Sequence, residues 1–176
     1  MFKVIDNFLQ KDHFDIIKNF FMSLECNWYY SKGVAQSNIE EGKYFYMIHT
    51  LYENNTPNSP AFNLILPVLQ KLNAKSLLRI KANLYPNQGK PVYTHTPHVD
   101  YTFPHKAAVL SINSCNGGTI INGKLIKSKE NRIVIFDGSV FHSSTTCTDK
   151  QVRVNIGFNY IDVDCLNNKR KFKNVF

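Results

Sequence analysis

From Leu77 onward the chain is written in short apolar segments separated by turn residues, and this pattern most narrows the folds open to it. Arg79-Ile-Lys-Ala-Asn-Leu-Tyr85 alternates polar and apolar residues, the period-two signature of a half-buried strand. Ala107 to Asn113 is a compact apolar run. Gly118-Thr-Ile-Ile121 meets Asn122-Gly123 and then Lys-Leu-Ile, and Asn-Gly between short apolar runs predicts a two-residue hairpin. Ile133 to Phe136 and Val152 to Ile161 complete a set of short strands that points to a β-sandwich or barrel.

The first 76 residues read as mostly helical. Between Lys11 and Glu25, Phe14, Ile17, Phe21 and Leu24 recur at helical spacing and would face a core. Ser59 followed by Pro60 is a good helix start, and Phe62, Ile65, Leu66, Leu69 and Leu72 continue as an apolar stripe that Pro67 should kink or break. The Tyr-rich stretch from Tyr44 to Tyr52 suggests a strand between these helices. The expected fold class is α+β, one domain spanning 1–176: helical support over about 1–76, a strand core over about 77–162 and a basic tail at 163–176.

At 43% hydrophobic and 19% charged, the chain can offset its ordering entropy by burial, which excludes a disordered class. Its net charge of +8 favours anionic partners, with Lys169, Arg170, Lys171 and Lys173 the densest basic stretch. Cys26, Cys115, Cys147 and Cys165 show neither zinc-site nor disulfide-framework spacing. With no apolar leader in MFKVIDNFLQKDHFD and no run of membrane-spanning length, the expectation is a soluble, cytoplasmic protein without a membrane partner.

The chemistry is concentrated in Thr96-Pro-His98-Val-Asp100. Two apart on a strand, His98 and Asp100 would project from one face, setting an imidazole nitrogen beside a carboxylate oxygen. Forty-one residues separate Asp100 from His142, leaving room for a hairpin and a return strand to bring in a third ligand. Two histidines and one carboxylate on one octahedral face suit non-haem Fe(II) that must keep positions open. Eleven positions after His142 comes Arg153, a planar fork that matches a carboxylate. Gly157, on the same strand face as Arg153 and Asn155, would leave space at the site.

His98-x-Asp100, Asn116-Gly-Gly-Thr119, Asn131-Arg-Ile-Val-Ile-Phe-Asp-Gly138, His142 and Arg153-Val-Asn-Ile, in this order, resemble the 2-oxoglutarate/Fe(II) oxygenase superfamily. The likeness runs from about Arg79 to Tyr160, with Val4-Ile-Asp-Asn-Phe8 also resembling how such chains begin. It is nearest to compact prolyl-4-hydroxylase-like members of phages and marine bacteria. The resemblance implies a double-stranded β-helix (jelly-roll) core buttressed by the N-terminal helices. It implies iron on His98, Asp100 and His142, and 2-oxoglutarate chelating that iron with its far carboxylate on Arg153. Arg153 stands where prolyl-4-hydroxylases usually carry lysine. Asn83 and Tyr85, in Asn-Leu-Tyr-Pro, match a pattern of the nucleic-acid-demethylating branch in which both side chains touch the oxoacid. Implied too are O2 as co-substrate, ascorbate as accessory reductant, and decarboxylation to succinate and CO2 coupled to hydroxylation of a C–H bond.

On resemblance, the substrate is a protein or peptide residue, with a small molecule or a nucleic acid as alternatives; oligomeric state is not legible. His95 lies on the opposite strand face from His98 and is not expected to be a ligand. His49 and His105 are expected on the substrate side or in structural roles, and His13 solvated on its helix. Tyr101 and Phe103 follow the triad and are candidates to face substrate; Trp28, Tyr29, Tyr30 and Tyr44 to Tyr46 read as core or groove. Asp137, Gly138, Gly117 and Gly118 read as turn and hairpin-entry residues. Two rivals use other chemistry: a non-redox metal-binding jelly roll, which would not decarboxylate 2-oxoglutarate, and a nucleic-acid module, for which no recognition motif is present.

Overall fold

The computed structural model describes residues 1–32, 45–163 and 165. Tyr44, the cluster Lys169 to Lys173 and most of the expected tail therefore lie outside the described residues.

Among the described residues eleven strands, every ladder antiparallel, build two sheets. In chain order they are β1 (Phe2–Ile5), β2 (Tyr29–Ser31), β3 (Tyr46–Glu53), β4 (Thr56–Pro57), β5 (Ser76–Pro86), β6 (Lys106–Ser111), β7 (Gly118–Ile121), β8 (Lys124–Lys127), β9 (Arg132–Asp137), β10 (His142–Ser144) and β11 (Val152–Ile161). The large sheet runs β1-β9-β6-β11-β5-β3-β2, with β4 on β3; the small sheet runs β10-β7-β8. Antiparallel strands in two layers agree with the expected jelly roll.

Alternation along β11 sets the layering. Val154, Ile156, Phe158 and Tyr160 point one way and join one apolar cluster with Ile80, Ala82, Leu110 and Ile133. That cluster also holds Phe14, Ile17 and Phe21 of helix α1 (Lys11–Phe21) and Val68 and Leu72 of helix α2 (Leu66–Leu72). Each such side chain, once buried, contributes roughly 1.5–3 kcal/mol. Between the sheets a smaller apolar cluster of Ala107, Ile121, Val134 and Phe136 closes one end. The cavity beside that cluster is lined mainly by polar side chains.

The hairpin expected at Asn122-Gly123 joins β7 to β8, with φ of 50° and 74° at its two residues, both in the left-handed region that such a turn requires. Ser59 caps as expected, its Oγ accepting from the Ala61 amide at 3.1 Å. Pro67 falls in the first turn of α2, which follows directly on a 3-10 helix (Pro60–Ile65); a missing N–H costs nothing there.

Three expectations need correction. The first 76 residues are not mostly helical: β1 to β4 all lie there, and β1 pairs with β9 as an edge of the large sheet. Helical spacing of buried residues holds only over α1 and the 3-10/α2 pair. Helix α1 stops at Phe21, so Leu24 is exposed rather than core, and Leu66, at the junction of two helix types, is exposed as well. His98 and Asp100 do not lie within a strand: prolines 91, 97 and 104 break the ladder, leaving isolated bridges Thr94–Thr145 and His98–His142. Among the described residues no helix is long and apolar enough to cross a membrane.

Candidate functional site

The inner face of the large sheet presents two polar rows. On β5 these are Arg79, Lys81, Asn83 and Tyr85; on β11 they are Asn159, Gly157, Asn155 and Arg153, paired in that order. Above them lies a cavity of about 620 Å³, bounded on the other side by His98, Asp100, Thr119, His142 and Ser144.

His98 and His142 face each other across a closely spaced antiparallel pair, each amide donating to the other's carbonyl at 2.9 and 3.0 Å. Their ring centroids are 4.6 Å apart. Asp100 completes the group, its Oδ2 3.6 Å from His142 Nε2. One donor atom from each of the three lies within 4.8 Å of the others. The Nδ1 atoms of His98 and His142 sit 3.3 and 3.0 Å from the carbonyls of Thr96 and Val140. Carbonyls only accept, so each Nδ1 carries the proton and each Nε2 lone pair is left for a metal. Burial, then the facing His142, lowers the pKa of His98, which favours the neutral form a metal requires.

Asp100 is held from behind. Arg79 Nη2 donates to Oδ1 at 2.7 Å and Asn159 Nδ2 to Oδ2 at 2.8 Å. Burial opposes its charge, but the Asn159 bond and then Arg79, His142 and His98 prevail and keep its carboxyl below the ordinary value. Asn159 Nδ2 also lies 3.4 Å from His105 Nε2, while His105 Nδ1 is 2.9 Å from the Phe103 carbonyl. Gly138 makes room for that ring: a Cβ there would sit 2.0 Å from His105 Nε2.

Arg153 is fully buried. Its Nε donates to Ser128 Oγ at 2.7 Å, Nη1 to the Thr145 carbonyl at 3.2 Å and Nη2 to Thr119 Oγ1 at 3.1 Å. Its Cζ lies 5.0 Å from the Tyr85 ring centroid, and Tyr85 stacks on Tyr46. Among the described residues no carboxylate pairs with it. A buried cation lacking an anion is costly. Gly117 lets the strands close over it, a Cβ there lying 2.2 Å from the Thr146 carbonyl and 3.1 Å from Arg153 Cδ. Arg153 does not itself reach the cavity wall, which at that end is made by Tyr85, Thr119 and Ser144. Asn83 and Asn155 join across the strands at 3.0 Å and both line the cavity.

The donor set fits a divalent transition metal: two imidazole nitrogens and one carboxylate on one side, with the cavity on the other. The Arg153 guanidinium, with no carboxylate partner among the described residues, fits an anion at the far end.

His95 is not among the grouped donor atoms and is buried beside Tyr85. Five residues from Thr94 to His98 run against four from His142 to Thr145, so a one-residue bulge turns His95 inward. Its ring lies 5.3 Å from that of Tyr85, Nδ1 is 2.9 Å from the Ser144 carbonyl, and buried Nε2 has no partner among the described residues. Burial pushes its pKa down to about 4, which keeps it neutral. His49 belongs to the helix side, tied to the Asn27 carbonyl and Ser59 Oγ. His13 is exposed on α1. Tyr101, Phe103 and His105 pack on one another rather than line the cavity. Arg79, Lys81, Asn159 and Thr119 were not singled out as site residues from the sequence, although the first three fall on the polar phase of recognised strands. The fold also gathers Cys115, Cys147 and Asp149, with donor atoms within 4.8 Å, which their spacing did not suggest.

No family model and no curated relative matches the sequence. The fold does find relatives among solved structures. A prolyl-4-hydroxylase from Pseudomonas putida aligns with TM-score 0.58 at 15% identity, over 91% of this chain and 92% of that one. A Trichoplax adhaerens prolyl hydroxylase, in complex with a hypoxia inducible factor oxygen degradation domain peptide fragment, aligns at 0.61 and 14%, over 95% and 86%. The non-heme alpha ketoglutarate dependent epimerase SnoN from nogalamycin biosynthesis aligns at 0.62 and 10%, over 92% and 78%. The chain shares the fold of these prolyl hydroxylases and of this epimerase.

Proposed function

We propose that this chain, acting as a single domain, is an Fe(II)- and 2-oxoglutarate-dependent dioxygenase that hydroxylates a C–H bond on a protein or peptide residue. One observation carries the reading: His98, His142 and Asp100 converge on a cavity whose other end is backed by a buried, carboxylate-free Arg153. The peptide class rests on a fold neighbour that is a prolyl hydroxylase holding a peptide fragment.

His98 and His142 would hold iron through Nε2 and Asp100 through its carboxylate. Bound iron with 2-oxoglutarate and O2 supplies the oxidising power, with decarboxylation to succinate and CO2. The protein's own work is positioning. Asn159 and Arg79 fix the Asp100 carboxylate, and the Thr96 and Val140 carbonyls fix the imidazole tautomers. An incoming carboxylate takes the place of Thr119 Oγ1 on Arg153 Nη2, with the Tyr85 ring beneath the guanidinium and Asn83 alongside.

The test is succinate production by purified protein supplied with Fe(II), 2-oxoglutarate, O2 and ascorbate. Wild type should exceed the protein-free control, and His142→Ala and Asp100→Ala should fall to it. Wild-type protein that binds metal yet forms no succinate would leave the non-redox jelly roll as the better account.

A further inference from the structure

The cavity wall is more cationic than metal and oxoacid require. Lys32, Arg79 and Lys81 line it, against Asp100 as the one carboxylate among the described residues. Arg79 is spent on Asp100 at 2.7 Å, and Lys32 is exposed. Lys81 is different. Its Nζ donates to Tyr46 Oη at 3.0 Å and sits 5.3 Å over the same ring, and no carboxylate among the described residues forms an ion pair with it. Across the ladder stands Gly157, where even a Cβ would meet only ordinary contacts, at 3.7 Å and beyond. Lys81 thus borders the same cavity that the triad's Asp100 bounds from the other side. Lys81 is half-buried, so its ammonium is only partly solvated, and an anion in the cavity would complete it.

We propose that the substrate carries a carboxylate, held by the Lys81 ammonium beside the metal triad and separate from the oxoacid carboxylate at Arg153. The inference rests on the oxygenase reading above. Arg153 pairs with Tyr85 and Gly157 with Lys81, so the two cations belong to rows four residues apart, about 13 Å along the strands. An ammonium has three N–H donors; Tyr46 takes one, leaving two for the two oxygens of one monoanion. A phosphate dianion would call for a second free cation at this depth, and Arg79 is already committed. An acidic side chain or a C-terminal carboxylate of a peptide meets the requirement.

The full chain, loaded with Zn(II) in place of iron and saturated with 2-oxoglutarate, is titrated by NMR with acetate, acetamide and inorganic phosphate. Lys81→Met and Lys81→Arg run alongside. Acetate should bind saturably and acetamide should not. Lys81→Met should weaken acetate at least tenfold with 2-oxoglutarate affinity unchanged, and Lys81→Arg should retain most of the acetate binding. Acetate affinity indifferent to Lys81→Met overturns the proposal, as does a parallel loss of 2-oxoglutarate affinity, or a Lys81-dependent preference for phosphate. Failure of wild type to bind 2-oxoglutarate at all would instead sink the oxygenase reading. The acetate series on the zinc-loaded chain then carries the same meaning for Lys81.

Discussion

Replacing Arg153 with methionine separates two quantities that a merely structural arginine would lose together. In the free protein the guanidinium makes three hydrogen bonds, to Ser128, the Thr145 carbonyl and Thr119. Their loss orphans one buried carbonyl, at about 1–3 kcal/mol, while the two hydroxyls can turn to other partners. Against this stands relief from a buried cation that no carboxylate neutralises, a gain of similar size. Stability should therefore change by no more than about 2 kcal/mol in either direction. Oxoacid binding has no such compensation. Two charge-assisted bonds to a carboxylate contribute about 3–6 kcal/mol, less about 1 kcal/mol for the surrendered Thr119 bond. Allowing for imperfect geometry, a loss of about 2–4 kcal/mol corresponds to a roughly 30- to 700-fold weaker Kd. The assays are urea unfolding of the free protein and calorimetric titration of the Zn(II)-loaded protein with 2-oxoglutarate. In Arg153→Lys the charge remains but the fork is lost, so its affinity should fall between the two. An Arg153→Met variant that binds 2-oxoglutarate within threefold of wild type would refute the reasoning.

Other consequences follow from the residues behind the triad. Gly138→Ala places a Cβ 2.0 Å from His105 Nε2, so overpacking should cost about 1–3 kcal/mol, read as a lower Tm. Asn159→Ala removes the 2.8 Å bond to Asp100 and should weaken metal affinity by about 10- to 100-fold, measured by competition with a chelating dye. Asp6 is bonded to Arg132 and then Lys129, which hold its carboxyl well below the usual range. A depressed acid contributes stability above its unfolded pKa and loses it as pH falls through the folded value. Asp6→Asn should accordingly flatten the fall in stability below about pH 4, near the ordinary Asp value, in acid melts.

Strands β5 and β11 were legible because polar and apolar phases alternate without interruption, and the hairpin because Asn122-Gly123 leaves little choice of turn. The triad could be named from chemistry and spacing, but its setting could not. Prolines break the strand that His98 and Asp100 were expected to share, and one extra residue between Thr94 and His98 turns His95 inward, which no local pattern announces. The alternation of β5 marks a half-buried strand without saying what its polar phase faces; only a second sheet across the gap makes Lys81 and Arg79 a cavity floor. The N-terminal segment is less helical than expected because helical spacing holds only over Lys11–Phe21 and the 3-10/α2 pair, while the short strands β1, β2 and β4 carry too few residues to show a period of their own. Cys115 and Cys147 meet because β7 and β10 pair, a long-range fact that their spacing does not encode.

The most direct test of the central claim is anaerobic titration of the metal-free protein with Fe(II) and 2-oxoglutarate, following the weak visible band of their chelate. The account predicts a band in wild type that needs both additions, is absent in His98→Ala, Asp100→Ala and His142→Ala, and requires more oxoacid in Arg153→Met. Wild-type protein that binds Fe(II) but shows no band at saturating 2-oxoglutarate would contradict it.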